Sequence, residues 1–400
     1  MNDDFLTSPK TNKAERQSSP IRQWQQSVGQ GDSNTPNNPH NHGKRKWWPP
    51  RMPHTKKQWI ITIVAAVVLL GGGGVGAYAL FHKPAEKPAT KKATSNKVAA
   101  PTAVQPTSTL TGLPISDASI NDRPVTAVMI ENSEYARPQS GIDQAGVVFE
   151  AVAEGGITRF LTLFQDQEPT YVGPVRSVRP YYIQWLMGFD AAVAHVGGSG
   201  EALQNLKDWG GKDLDQFHNP SAYHRISSRV APHNMYTGIP ALRQIEANKG
   251  YGKANYAGFA RKKEAKSATP NATSIDFSIS GALYNAHFDY DATTNSYKRS
   301  EGGKPHMVVS ESGAQTQLTP KVVVGLVMPK GSNGIYSTYS TIGSGKVYIF
   351  QDGNVSQGTW HKADRNSNFT FTDPNGAALP LNPGQTWLTA LGSDSAVTYK

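Results

Sequence analysis

The stretch "WIITIVAAVVLLGGGGVGAYALF", Trp59 to Phe81, runs for 23 residues without a charge. At 1.5 Å per residue, a helix of that length reaches across a hydrocarbon core of about 30 Å. Four consecutive glycines weaken such a helix in water, but in lipid an unsatisfied backbone costs more than poor propensity. The segment therefore predicts one transmembrane helix over 59–81. Lys44, Arg45, Lys46, Arg51, Lys56 and Lys57 precede it, whereas Lys83 and Lys87 follow it with Glu86 between them. Because Lys and Arg concentrate on the cytoplasmic side, the expectation is a single-pass protein of the cell membrane. Its N-terminus is cytoplasmic and everything after residue 82 is extracytoplasmic. A cleavable signal peptide fits less well, because the preceding region is too long and the apolar run exceeds an ordinary signal core.

The charge divides at the same place. The chain carries a net +10, yet residues 1–107 hold 15 Lys and Arg against 5 Asp and Glu, and residues 108–400 hold 25 of each. The folded part is neutral, which argues against a broad nucleic-acid surface, and no specific nucleic-acid partner is expected. There is no cysteine, so disulfides, zinc–thiolate sites, thiol catalysis and acylation of a lipobox cysteine are all excluded.

Residues 1–58 are rich in Asn, Gln, Ser, Pro and Lys without apolar periodicity and read as a disordered cytoplasmic tail. Residues 82–112, rich in Lys, Ala, Thr and Pro, read as an extracytoplasmic stalk. From there to residue 260, "PVTAVMI", "GVVFEAV", "ITRFLTLF" and "AAVAHV" have strand character, and "RPYYIQWLMGF" and "EALQNLKDW" have helical character. The expectation for 113–260 is a mixed α/β or α+β domain. Residues 261–274 lack a core pattern and read as a linker or exposed loop. From 275 to 400 the pattern becomes β-rich, with hairpin signals at Asp352-Gly353 and Asn375-Gly376. Trp360 and Trp387 are expected in that module's core.

The runs "RPVTAVMIENSEYARPQSG", "EGGITRF", "GPVRSVRPYY", "HVGGSGEAL" and "YHRISSRVAPHNMYT" resemble, in that order, the YerB-like lipoprotein family, the domain-of-unknown-function 3048 proteins. "GSGKVYIFQDGNVSQGTWHK" and "LNPGQTWLTAL" resemble the family's C-terminal domain. The similarity spans roughly 110–400. It implies a two-domain, membrane-attached, extracytoplasmic protein, here with a transmembrane helix in place of a lipid anchor. It implies no established reaction. The family-motif positions include Glu131, Asn132, Arg137, Glu154, Arg159, Arg176, Arg179, His224 and His233.

The residues themselves point to an anion. Arg176 and Arg179 sit three apart in "GPVRSVRPYY", and a guanidinium offers a fixed fork of donors matched to phosphate or carboxylate. The competing reading has both arginines pairing with internal carboxylates such as Glu150 or Glu154. Ser199, in "HVGGSGEAL", either belongs to an anion-binding nest or caps the following helix. It lacks the flanks of a nucleophile elbow. His224, Arg225, Arg229 and His233 crowd one loop that could grip a phosphate and move a proton. The expected ligand-binding set is Arg176, Arg179, Ser199, His224, Arg225, Arg229 and His233. Whether the protein is an enzyme stays open, with Glu154 and His233 as candidate catalytic groups. No metal and no cofactor are expected.

Three functions are carried forward. The first is binding of a phosphate- or carboxylate-bearing cell-wall component. The second is hydrolysis or transfer on an anionic envelope glycan. The third is a structural role beside a membrane-protein partner.

Overall fold

The computed structural model describes residues 105–400. The expected tail over 1–58, the span over 59–81 and the stalk up to residue 104 lie outside the described residues. Among the described residues no helix is long and apolar enough to cross a membrane. The end of the expected stalk belongs to the folded body: Leu110 is buried, and Ser108 Oγ and Thr111 Oγ1 donate to the Asp166 carboxylate at 2.6 and 2.5 Å. A neutral Ser/Thr-rich turn with one leucine docks where one carboxylate can take both hydroxyls.

The apolar runs become the centre of one large sheet. Its strands lie in the order Thr370–Thr372, Asn354–Lys362, Gly343–Gln351, Val322–Val327, Thr386–Leu391, Val147–Glu154, Ile157–Phe164, Thr126–Glu131, Ala192–Ala194 and Lys212–Asp213. Strands from the mixed module and the β-rich module meet in the middle. Val147–Glu154 runs parallel to Thr386–Leu391, with Val148 opposite Trp387 and Glu150 opposite Thr389. The observed architecture is thus a mixed α/β first part and a β-rich second part that share a sheet.

Both faces of that sheet are covered, which explains why its strands read as unbroken apolar runs rather than alternating ones. Successive residues point to opposite faces. Val147, Phe149 and Ala151 enter one core with Tyr181, Tyr182, Trp185 and Leu206 from the helices Pro180–Met187 and Gly200–Asp208. Val148 and Val152 enter the other, with Ile239 and Leu242 from the helix Ile239–Asn248 and with Ile275, Phe288 and Tyr297. The last three belong to a separate five-stranded sheet that includes Ser274–Phe277, Ala286–Asp291 and Ser296–Glu301.

Local signals act as their chemistry requires. Pro180 starts its helix at a position where a missing N–H costs nothing. Ser199 caps its helix, its Oγ accepting from Ala202 N at 3.3 Å. Asp352 and Gly353 take left-handed φ values of +59° and +78° between the strands Gly343–Gln351 and Asn354–Lys362, the twist that a two-residue hairpin needs. Trp360 and Trp387 are both buried. The 261–274 segment stitches across both modules: Arg261 donates to the carbonyls of Leu110 and Asn382, and Lys262 to Asp352 and Asn382.

A fully buried charge breaks the apolar pattern on the second face. Glu150, with 0% exposure, lies in the middle of its strand, and Arg299, also 0% exposed, reaches it from the five-stranded sheet. Arg299 Nη2 donates to both Glu150 oxygens at 3.0 and 2.9 Å, and Trp387 Nε1 donates to Oε2 at 3.0 Å. The Arg299 guanidinium lies 4.6 Å from the Trp387 ring centre. Its Nη1 donates to His306 Nδ1, whose Nε2 in turn donates to Gln139 Oε1 at 2.9 Å. Burial, joined by the charges of Arg299 and Arg137, drives the His306 pKa well below its ordinary range and keeps the ring neutral.

Removing one member of such a pair strands the other in a dry interior. Arg299→Met is therefore expected to lower the unfolding free energy by about 3–5 kcal/mol, read from chemical denaturation. A loss within the scatter of a surface substitution would show that the pair does not hold the two parts together.

Candidate functional site

Three loops leave the same end of the first part, and each turns at a cis proline: Arg137-Pro138, Gly173-Pro174 and Ala231-Pro232. They are knitted by backbone bonds. Glu131 N donates to Pro174 O at 2.9 Å, Arg176 N to Met129 O at 2.8 Å and Val175 N to Met235 O at 2.7 Å. The loops gather five of the expected residues, Glu131, Glu154, Arg159, Arg176 and Arg179, with Arg225 and His233 beside them.

Glu154 is a clamp. It ends its strand where the next begins, so its carboxylate meets two guanidiniums: Arg159 Nη2 at 2.5 Å, and Arg179 Nη2 at 2.8 Å and Nε at 3.1 Å. Arg179 also donates to Val178 O at 2.7 Å and lies 4.7 Å over the Tyr336 ring, a residue of the β-rich part. Burial pushes the Glu154 carboxyl up, but Arg159 and Arg179 outweigh it and hold its pKa below the ordinary value. Glu154 is thus fixed in its ionised form with both oxygens engaged, which makes it a brace and a weak proton acceptor.

Glu131 is the second carboxylate. His233 Nδ1 donates to its Oε1 at 2.8 Å, Ser133 Oγ donates to the same oxygen at 2.8 Å, and Arg176 Nε stands 3.8 Å away. Here too burial raises the pKa, and the His233 hydrogen bond and the Arg176 charge outweigh it to give a net lowering. Two buried polar atoms in this cluster, Glu131 Oε2 and Arg159 Nε, have no hydrogen-bond partner. The guanidiniums also crowd one another. After burial, the pull of Glu131 and the opposing charges of Arg159 and Arg225 act on Arg176, and the net effect lowers its pKa.

The other expected residues are placed differently. Arg229 donates to Ala136 O and Pro138 O, tying its loop to the Arg137-Pro138 turn. Ser199 is occupied as a helix cap. His224 and Arg225 are neighbours on the short strand Tyr223–Arg225, so they point to opposite faces. Arg225 donates to Asn234 Oδ1 at 2.6 Å, while the His224 ring lies 6.4 Å from those of Tyr171 and Tyr236. Asn132 and Arg137 turn toward the interior: Asn132 Nδ2 donates to Glu301 at 2.5 Å, and Arg137 Nη2 lies 3.2 Å from the same carboxylate. Among the described residues no three His, Cys, Asp or Glu side chains converge in a metal-binding geometry.

Ser133 and Tyr336 were not singled out in the sequence. Ser133 lies inside the quoted "ENSEYARP" run, two residues from Glu131, and carried no signal beyond that spacing. Tyr336 arrives from a hairpin nearly 160 residues downstream of Arg179, which no local pattern reveals.

Comparisons with known proteins agree with this architecture. Residues 110–252 match the family described as "Protein of unknown function (DUF3048) N-terminal domain", and residues 275–388 match its "C-terminal domain". A relative named "Putative lipoprotein YerB" from Bacillus subtilis (strain 168) is 32% identical over 293 residues, covering 70% of this chain and 84% of that protein. The crystal structure of YerB protein from Bacillus subtilis superposes with a TM-score of 0.65 at 27% identity, covering 74% of this chain and all of that one.

Because Glu131 and Glu154 both have lowered pKa values, their ionised forms stabilise the fold above the ordinary carboxyl value of 4.5, and that contribution is lost as pH falls through their folded values. Glu154→Gln should therefore melt below the wild type at pH 7. The gap should narrow as pH falls below 4.5 toward the lowered folded value, where wild-type Glu154 also becomes protonated. A gap in melting temperature that does not change with pH would contradict the clamp.

Proposed function

The chain belongs to the DUF3048 family, and on that premise we propose that it is a membrane-attached extracytoplasmic envelope protein that binds a phosphate- or carboxylate-bearing cell-wall component. The name of the Bacillus subtilis relative supports the envelope location, and the apolar run over Trp59–Phe81 supplies a single-pass anchor with its N-terminus in the cytoplasm.

The observation that carries the binding reading is the excess of guanidinium over carboxylate where the three loops meet. Arg159, Arg176, Arg179 and Arg225 stand near Glu131 and Glu154, so among the described residues this cluster holds more guanidiniums than carboxylates, a composition suited to an incoming anion. The proposed contacts are Arg176 and Arg225, with His233 beside them. Arg176 and Arg225 have internal partners too, in Glu131 at 3.8 Å and Asn234 at 2.6 Å; Arg179 is clamped by Glu154, Arg229 and Ser199 tie backbone groups, and His224 lies on the opposite face of its strand from Arg225.

Titrating the full-length protein with a short poly(glycerol phosphate) oligomer should give saturable, salt-sensitive binding. The Arg176→Gln/Arg225→Gln double variant, shown by circular dichroism to be folded at the assay temperature, should bind at least tenfold more weakly. Equal affinity in the variant would remove both arginines from the assignment.

One observation favours the second reading, an enzyme acting on an anionic glycan. Glu131 orients the His233 ring through Nδ1, the arrangement that fixes a histidine tautomer so that Nε2 can take a proton. Under this reading His233→Gln abolishes release of product from the oligomer while binding persists. An oligomer left intact over long incubation with the wild-type protein would leave binding as the function.

A further inference from the structure

The five-stranded sheet buries Ile275, Phe277 and Phe288 on its inner face and carries a titratable cluster on its outer one. Asp276 and His287 stand directly opposite each other on the antiparallel strands Ser274–Phe277 and Ala286–Asp291. Asp289 lies two residues beyond His287 and so shares its face. The imidazole is held at both nitrogens: Nδ1 donates to Asp276 Oδ1 at 2.7 Å, and Nε2 donates to Asp289 Oδ1 at 3.0 Å. The neighbouring strands place Ser300 opposite His287 and Thr398 opposite Asp276. Lys298, opposite Asp289, turns its Nζ to Asp291 at 3.0 Å, and Lys400 pairs through its backbone with Ser274.

An ionised carboxylate only accepts, so this arrangement needs two N–H groups on the ring, and an imidazole has two only when it is protonated. A neutral ring holds one carboxylate and turns a lone pair toward the other. Burial lowers the His287 pKa, but the hydrogen bonds to Asp276 and Asp289 and the charges of both outweigh it, and the net effect is a rise above 6.5. The bridge therefore contributes fully below 6.5 and is lost as pH rises through the raised folded value. The ring is 35% exposed and the two carboxylates 57% and 60%, so solvent screens the cluster. Its effect belongs to local opening of the sheet rather than to global unfolding.

We propose that His287 is a pH-sensitive clasp: as an imidazolium it ties the strand Ser274–Phe277 to Ala286–Asp291, and on losing its proton it lets go of one carboxylate and loosens that pairing. The same sheet supplies Arg299 from its inner face, next in sequence to the Ser300 that stands opposite His287. The clasp thus stiffens, in acid, the element that delivers the counter-ion of Glu150. It is independent of the anion-binding reading.

Hydrogen exchange on the full-length protein in detergent, corrected for the intrinsic rate at each pH, tests the clasp. The amides of Ser274–Phe277 should lose protection by about two- to fivefold between pH 6 and pH 9, while those of Val322–Val327 in the large sheet keep theirs. His287→Gln should show the lower protection at both pH values. Asp276→Asn/Asp289→Asn, which keeps the imidazole and removes the carboxylates, should also remove the pH dependence. Equal protection of Ser274–Phe277 at pH 6 and pH 9 in the wild type, or a loss that either variant retains undiminished, overturns the proposal.

Discussion

A carboxylate in the middle of a buried strand cannot stand alone, and the burial of Glu150 against Arg299 is the constraint from which the rest of the structure follows. The strand that carries Glu150 is packed on both faces, so no water reaches the carboxylate. Its counter-ion comes from a strand almost 150 residues later, and Trp387, also from the second part, donates to it together with Thr158 of the first. The two sequence modules are therefore not beads on a string. The carboxylate of one is satisfied only when the other is in place, and the shared sheet places them in register.

That assembly determines which charges stand at the loop end. With Glu150 committed to Arg299, Glu154 is left to hold Arg159 and Arg179, and Glu131 to hold His233 near Arg176. Each carboxylate has a structural duty, and the surplus is positive. Tyr336, contributed by the second part, roofs Arg179. The loop end is thus a product of both modules, although most of its polar side chains come from the first.

Much of the fold was legible in the sequence because its signals are local. Pro180 and Ser199 mark helix starts, Asp352-Gly353 marks a hairpin, and the apolar runs mark strands covered on both faces. The shared sheet was not legible, since parallel pairing of Val147–Glu154 with Thr386–Leu391 depends on contacts more than 200 residues apart. The residue types of the candidate site were legible in the sequence, but which of them pair with one another was not. Arg176 and Arg179 look equivalent in "GPVRSVRPYY", yet Glu154 clamps Arg179 while Arg176 faces Glu131. The competing pairing with internal carboxylates describes Arg179 well. Glu150 in "VVFEAVAE" did carry a signal: a charge flanked by buried apolar residues demands a buried partner, though nothing local identifies Arg299.

The central claim is that the two parts form one cooperative body around the Glu150–Arg299 pair. Native-state hydrogen exchange on the strands Val147–Glu154 and Thr386–Leu391 tests it most directly. The account predicts that the slowest amides of both strands open with the same free energy, equal to that of global unfolding. Opening of Thr386–Leu391 at a distinctly lower free energy, while Val147–Glu154 stays protected, would show two independent domains and contradict it.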